Sequence, residues 1–384
     1  MNIFKDLFQL DPEVIFLNHG SYGATPKPVF EVYQDWQRRL ERQPVKFLGR
    51  EVRGYLEEAR VALGSYLNVA GEDLIYVPNA TFGVNVVARS LNLSEGDEVL
   101  TCDQEYGACN NTWTYLSKLK GFSYKKQAIP LPINSSEAII EAFWQGVTAQ
   151  TKVIYLSHIT SPTALILPIQ DICKKAKEEG IITVIDGAHA PGQLELDLST
   201  INADFYTGNC HKWLCSPKGA GFLYVRKDMQ DLIEPLVLSW GYTAESQHSR
   251  GSSFLDYYDW LGTSDPSAYL SVPAAIEFQK EHNWAEVRAG CHVLLKDALE
   301  ALQKITGLAT MYPLDSDLYV QLAVAALPDR INTETFKNQL YDDYRIEIPL
   351  TQYNEKPFLR ISVQAYNNED DLDALAQAIK HMIK

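Results

Sequence analysis

Short apolar runs, closed by glycine, proline or small polar residues, recur along this chain and alternate with longer stretches whose apolar residues return every three or four positions. The short runs, at residues 14–17, 74–77, 97–102, 152–158, 181–186, 203–206 and 220–225, predict strands. The longer stretches predict helices from 29 to about 40, opened by Pro26 and Pro28, from 50 to about 67 through Val52, Leu56, Ala59 and Leu63, and over 171–180, where Gly180 is a stop signal. Trp113 and Tyr115 are expected in a helix core. Strand and helix alternate from Leu74 to Val225, the pattern of an α/β fold with a mainly parallel, doubly wound sheet. Residues 238–261, rich in aromatics, serine and glycine, predict an ordered loop region. Beyond Ser267 a helical pattern runs through Phe278, breaks near Asn283 and continues to Leu302. Strands at 318–323 and 358–362 and a closing helix at 370–383 then predict a smaller α/β unit. The expected division is a large domain at 15–265 and a smaller one built from 1–14 and 266–384.

The run 181–189 stays apolar until Asp186, so a buried parallel strand would deliver that carboxylate to its C-terminal edge, where ligands of open α/β sheets gather. Lys212 follows 26 residues later, in a turn between two strands. A lone lysine at a strand end is ordinarily a solvated charge. Buried in such a turn, the amine can lose its charge and become nucleophilic. A lysine that forms an imine and a carboxylate that keeps a pyridinium nitrogen protonated are the pair that pyridoxal phosphate chemistry requires. Two further stretches point to anions. Residues 78–85 open a helix with Ala80 and Thr81, which is a simple N-cap or, with its free amides, a phosphate site. Arg360 lies inside an apolar strand, where an unpaired guanidinium would be costly and calls for an anionic partner.

Asp186-Gly187-Ala188-His189, followed by Gly208-Asn209-Cys210-His211-Lys212-Trp213, resembles the class V aminotransferase family of fold-type I pyridoxal phosphate enzymes, and within it the isopenicillin N epimerase-like branch. The likeness runs from Asn18 to Arg360. It implies the aspartate aminotransferase-like fold, with a mainly parallel, seven-stranded-type sheet in the large domain, and a homodimer with shared active sites acting on an amino acid or small peptide. On this resemblance Lys212 carries the cofactor and serves as the base, Asp186 holds the ring nitrogen, and His189 and His158 approach the phenolic oxygen. Tyr106 stacks on the ring. Ala80, Thr81, Asn209 and His211 hold the phosphate, joined by Gly262 and Thr263 reaching across from the second subunit. Asn18, His19 and Gly20 line the substrate pocket near the carboxylate, and Arg360 forks onto the α-carboxylate.

Composition narrows the partners. A formal charge of −15 over 384 residues disfavours nucleic acid. No run of about 18 uncharged apolar residues predicts a membrane span, and the N-terminus lacks a signal-peptide core, so a cytoplasmic protein is expected. The six cysteines form no CxxC pair, which suggests neither a metal site nor a disulfide framework.

Three reactions share this machinery: epimerisation, transamination, and expulsion of a β-sulfur group by a C–S lyase. The overall resemblance favours the epimerase. A persulfide-forming desulfurase is disfavoured, because no cysteine lies between Gln321 and Arg360. A catalytically silent binding protein of the same fold is disfavoured by the complete set Asp186, His189, His211, Lys212 and Arg360.

Overall fold

The computed structural model describes residues 4–243, 249 and 251–384. Its strands are β1 (Ile15–Phe16), β2 (Leu74–Val77), β3 (Glu98–Cys102), β4 (Ser123–Gln127), β5 (Thr151–Ser157), β6 (Ile182–Gly187), β7 (Phe205–Asn209), β8 (Gly221–Val225), β9 (Leu322–Ala326), β10 (Ile346–Glu347), β11 (Leu350–Tyr353) and β12 (Lys356–Ser362). Seven of them form one sheet in the order β2-β8-β7-β6-β5-β3-β4, parallel except for β8, which runs antiparallel to both neighbours. This is the mainly parallel, seven-stranded sheet that the resemblance implies.

The central strands read as unbroken apolar runs because both faces of the sheet are covered. Tyr155, Val184 and Phe205 join Val84, Val87 and Trp113 in one core, while Ile154, Leu156, Ile185 and Tyr206 join Leu63, Leu165 and Ile172 in the other. Burial of each such aliphatic or aromatic side chain contributes about 1.5–3 kcal/mol. Helices Ala80–Ser90, Gly107–Lys120 and Ile169–Glu178 fall between the strands in sequence. A second sheet, β11-β12-β9, is antiparallel throughout and carries Arg360 opposite Val324. The N-terminal segment ties the two sheets together: β1 pairs in parallel with β10, Ser362 N donates to Leu17 O at 3.0 Å, and the chain then turns toward the large sheet through a one-turn helix, His19–Tyr22.

Several expectations are corrected. Trp113 is fully buried but Tyr115 is 57% exposed. Two residues apart on a helix, they lie about 200° apart and cannot share a core. Strand β4 escapes the apolar pattern because it is a polar sheet edge, Ser-Tyr-Lys-Lys-Gln, of the kind that discourages edge-to-edge pairing. The strand expected at 318–323 begins only at Leu322. Leu318 is buried, yet its carbonyl accepts from Ile166 N at 2.9 Å rather than joining a ladder. Within 238–261 the helix Ser253–Asp259 forms, its N-terminus capped by Ser252, while 244–248 and 250 lie outside the described residues. No helix among the described residues is long and apolar enough to cross a membrane, and no group of three potential metal ligands occurs among them.

Candidate active site

Parallel register places Ser157 beside Asp186 and Asp186 beside Thr207 at the C-terminal ends of β5, β6 and β7. Asp186 is 3% exposed. Its Oδ1 accepts from Ala188 N at 2.9 Å, and its Oδ2 lies 3.4 Å from the Tyr155 hydroxyl and 3.6 Å from Cys109 Sγ, both donors. Burial raises its pKa; the Ala188 amide and the charge of Lys212 oppose that rise. A second buried carboxylate, Glu105, accepts from Ser157 N at 3.0 and 3.1 Å and from Ser157 Oγ at 2.5 Å, with burial pushing it up to about 7.

Lys212 occupies the turn between β7 and β8. His19 clamps the turn, donating from Nε2 to Lys212 O at 3.0 Å while Nδ1 lies 2.9 Å from the Tyr366 hydroxyl. Burial brings the lysine amine down to about 8, the neighbouring charge of Arg360 adds to the fall, and Asp186 opposes it. The amine lies 3.3 Å from His189 Nε2. Where β2 hands over to the helix Ala80–Ser90, Asn79 Oδ1 accepts from Phe82 N at 2.9 Å and Asn209 Oδ1 accepts from Ala80 N at 2.8 Å. Both caps satisfy amides beside Thr81 and leave the dipole end of the helix open to an anion. His211 donates from Nδ1 to Ala220 O at 2.9 Å, and burial lowers its pKa to about 4.

Arg360 reaches this region from the other sheet. Its Nη1 donates to Ser161 O at 2.9 Å and its Nη2 to Ser21 Oγ at 3.1 Å, while the buried Nε has no partner. Burial lowers its pKa to about 10. Among the described residues no carboxylate lies within ion-pair distance of it.

Asp186, His189, Asn209, His211, Lys212 and Arg360 line one cleft of about 720 Å³. Of the residues singled out from sequence, Gly20, Ala80, Thr81, Tyr106, Asp186, His189, Asn209, His211, Lys212 and Arg360 are on its wall. Asn18, His19, His158, Gly262 and Thr263 are not. Asn18 donates to Glu347 Oε1 at 2.9 Å and accepts from Ser21 Oγ at 2.5 Å, so it braces the cleft wall from behind, as His19 braces the lysine turn. His158 follows Ser157 and therefore projects from the other face of the sheet, where its Nδ1 lies 2.8 Å from the Tyr206 hydroxyl. Thr263 borders a surface groove with Trp240, Trp260 and Arg50. Sequence reasoning missed Ser21, Tyr155, Cys109 and Glu105 as parts of the site. Ser21 stands inside the His-Gly-Ser-Tyr-Gly turn and was within reach, whereas the partners of the other three come from distant strands.

The residues present fit pyridoxal phosphate. An amine of depressed pKa, a buried carboxylate, an open helix N-terminus and a guanidinium with an orphaned Nε face a common space, and each is costly to bury without the groups that cofactor and an amino acid supply. Comparison with known proteins agrees. The chain is 33% identical to an isopenicillin N epimerase of Amycolatopsis lactamdurans, over 99% of this chain and 98% of that one. It is 28% identical to a probable chloroplastic L-cysteine desulfhydrase of Arabidopsis thaliana, over 97% and 84%. Its fold superposes on an apo cysteine desulfurase from Thermococcus onnurineus NA1 with a TM-score of 0.85, at 20% identity and over 100% and 98% of the two chains. The model of the Aminotransferase class-V family matches residues 16–375. A match of that extent, from β1 into the last helix, makes the chain a pyridoxal phosphate-dependent enzyme of the class-V aminotransferase family.

Proposed function

We propose that this enzyme acts at Cα of an amino acid or small peptide, and that its reaction is an epimerisation of the isopenicillin N epimerase type. The observation that carries the reading is Arg360, a buried guanidinium without a carboxylate among the described residues, opening onto the cleft that holds the depressed lysine. Such an arginine suits bidentate capture of a substrate carboxylate, after which the substrate's amine is tethered near Lys212.

When bound, pyridoxal phosphate supplies a carbonyl that captures the substrate amine and a ring that accepts electrons from Cα. Asp186 would hold the ring nitrogen, His189 the phenolic oxygen, and Ala80, Thr81, Asn209 and His211 the phosphate end. Lys212, poised near neutrality, takes a proton from Cα and returns it. Inversion requires a second donor. Tyr106, 46% exposed at the cleft wall, or a water is proposed for that part, because His158 lies off the cleft wall with its Nδ1 2.8 Å from the Tyr206 hydroxyl. The active form is proposed to be a homodimer: Gly262 and Thr263 stay outside their own chain's cleft, beside an apolar surface groove, and a second copy would bring them to the phosphate end. Six free, buried cysteines fit a reducing, cytoplasmic setting.

The relative named as an L-cysteine desulfhydrase supports a second reading, C–S bond cleavage. No cysteine lines the cleft among the described residues, so the version proposed is an elimination that needs Lys212 and no protein thiol.

The test is to incubate the yellow protein in deuterated water with L-amino acids and cysteine derivatives, following Cα–H exchange, chirality, sulfide and keto acid together. Exchange with loss of optical purity and no keto acid supports the epimerase. Sulfide with pyruvate moves the assignment to the lyase, and keto acid with an aminated cofactor moves it to a transaminase.

A further inference from the structure

His189 lies between two nitrogen groups. On one side Trp213 Nε1 donates to its Nδ1 at 3.2 Å; on the other its Nε2 lies 3.3 Å from Lys212 Nζ. An indole nitrogen is only ever a donor. Trp213 is fully buried, so its N–H must be satisfied inside the protein, and the acceptor it has is Nδ1. That nitrogen therefore carries no proton, and a neutral imidazole must carry its one proton on Nε2, toward Lys212.

We propose that Trp213 is a positioning residue that fixes His189 as the Nε2–H tautomer, so that the ring serves the cleft only as a hydrogen-bond donor and never as a base. The assignment deepens the reading above and rests on it only for its catalytic consequence.

The alternatives meet physical obstacles. An Nδ1–H tautomer would set two N–H groups against each other and orphan a buried indole N–H, at a cost of a lost hydrogen bond or more. An imidazolium would do the same. His189 is only 4% exposed, and the charged or titratable groups around it, Lys212, Arg360 and His19, all disfavour a positive ring. The backbone is anchored as well: Gln193 Nε2 donates to His189 O at 2.8 Å.

A fixed Nε2–H has a consequence for Lys212. A ring that can only donate is matched by the lone pair of a neutral amine and is repelled by an ammonium, so His189 adds to the forces that keep the lysine unprotonated. The residue next to the lysine in sequence thereby sets the proton inventory of the cleft through one indole N–H. It leaves Lys212 as the stronger nitrogen base there, since His211, whose Nδ1–H goes to Ala220 O, keeps only a weakly basic Nε2, burial lowering its pKa to about 4.

The experiment is a long-range proton–nitrogen correlation spectrum of the full-length protein with 15N-labelled histidine, with and without pyridoxal phosphate, His189 being identified by its absence in His189→Gln. The expected result is an Nε2–H pattern that persists from about pH 5 to about pH 9 without titrating. An Nδ1–H pattern, or titration near the ordinary histidine value, overturns the proposal on the wild-type protein alone. In Trp213→Phe, which keeps an aromatic ring and removes the N–H, His189 is freed to accept from Lys212. The pH midpoint for trapping Lys212 with an aldehyde should then rise by about one unit, against an unchanged midpoint for a purely packing role. An Nε2–H pattern in a protein that never turns yellow supports this tautomer while sinking the functional reading; an Nδ1–H pattern in a yellow, active protein does the reverse.

Discussion

Arg360 donates through Nη2 to Ser21 Oγ at 3.1 Å, and Ser21 Oγ in turn donates to Asn18 Oδ1 at 2.5 Å, so the guanidinium is aimed by a hydroxyl relay and not by a carboxylate. The relay ends on Glu347, which accepts from Asn18 Nδ2 at 2.9 Å. A direct ion pair would compete with an anionic substrate; a hydroxyl orients the fork and leaves its charge to be satisfied. Ser21→Ala should raise KM by about tenfold with kcat changed far less, the loss of one charge-assisted hydrogen bond out of several. Asn18→Ala should move KM in the same direction by a smaller factor, because it acts through Ser21. Steady-state kinetics on whichever substrate the exchange assay identifies checks both.

Lys212 has its amine at about 8, lowered by burial first and Arg360 second. The neutral amine fraction, and with it the rate of trapping by pyridoxal phosphate and borohydride, should rise with a midpoint at about pH 8 and level off about one unit above it, where an ordinary lysine has its midpoint above about pH 10. Lys212→Ala should abolish the visible absorbance of covalently held cofactor. Arg360→Gln should move the midpoint upward, since it removes a like charge. A downward move would refute the electrostatic account.

Four histidines whose pKa is lowered by burial make the fold sensitive to acid. Burial lowers His19 to about 3, His158 and His211 to about 4 and His189 well below its ordinary value. Below about pH 6.5 the unfolded chain protonates these rings while the folded chain does not, so the unfolded state binds more protons and stability falls as pH falls. Going from pH 7 to pH 5 should cost about 2 kcal/mol for each ring that stays neutral. Urea midpoints at the two pH values measure it. His158→Phe should flatten the slope by roughly one ring's share, because it removes one of the four titrations.

Gly23 sits at a positive φ of 69°, and a Cβ built on it would stand 2.0 Å from His211 O and 2.9 Å from Lys212 Cα. Both the conformation and the contact require glycine. Gly23→Ala should lower stability by more than about 2 kcal/mol and loosen the lysine turn, read as a drop in Tm together with a rise in the pH midpoint for trapping Lys212. Gly96→Ala is the control, since its φ of 95° is also positive but nothing lies near its Cβ. It should cost stability without moving the lysine midpoint.

The lysine, its carboxylate and the arginine were legible because each breaks a local pattern. Asp186 ends an apolar run, Lys212 sits in a tight turn, and Arg360 interrupts an apolar strand. The large sheet was legible for the same reason, since strands covered on both faces must be apolar throughout. Edge strand β4 was not, because an edge exposed to water obeys no apolar rule. His158 shows the limit within the site itself. Its position at the end of β5 is set by the sequence, but which face it takes depends on where β5 stops being pleated and on which side the cleft lies.

The sequence by itself determined the architecture and pointed to the proposed reacting groups, because hydrophobic periodicity and the chemistry of a residue type are local properties. Only the tertiary structure decided that Ser21 aims Arg360, that Trp213 settles the proton of His189, and that Asn18 and His19 brace the cleft instead of lining it. A hydrogen bond joins atoms within about 3 Å whatever their separation in the chain. Partners such as Ser21 and Arg360, 339 residues apart, leave no trace in a local pattern.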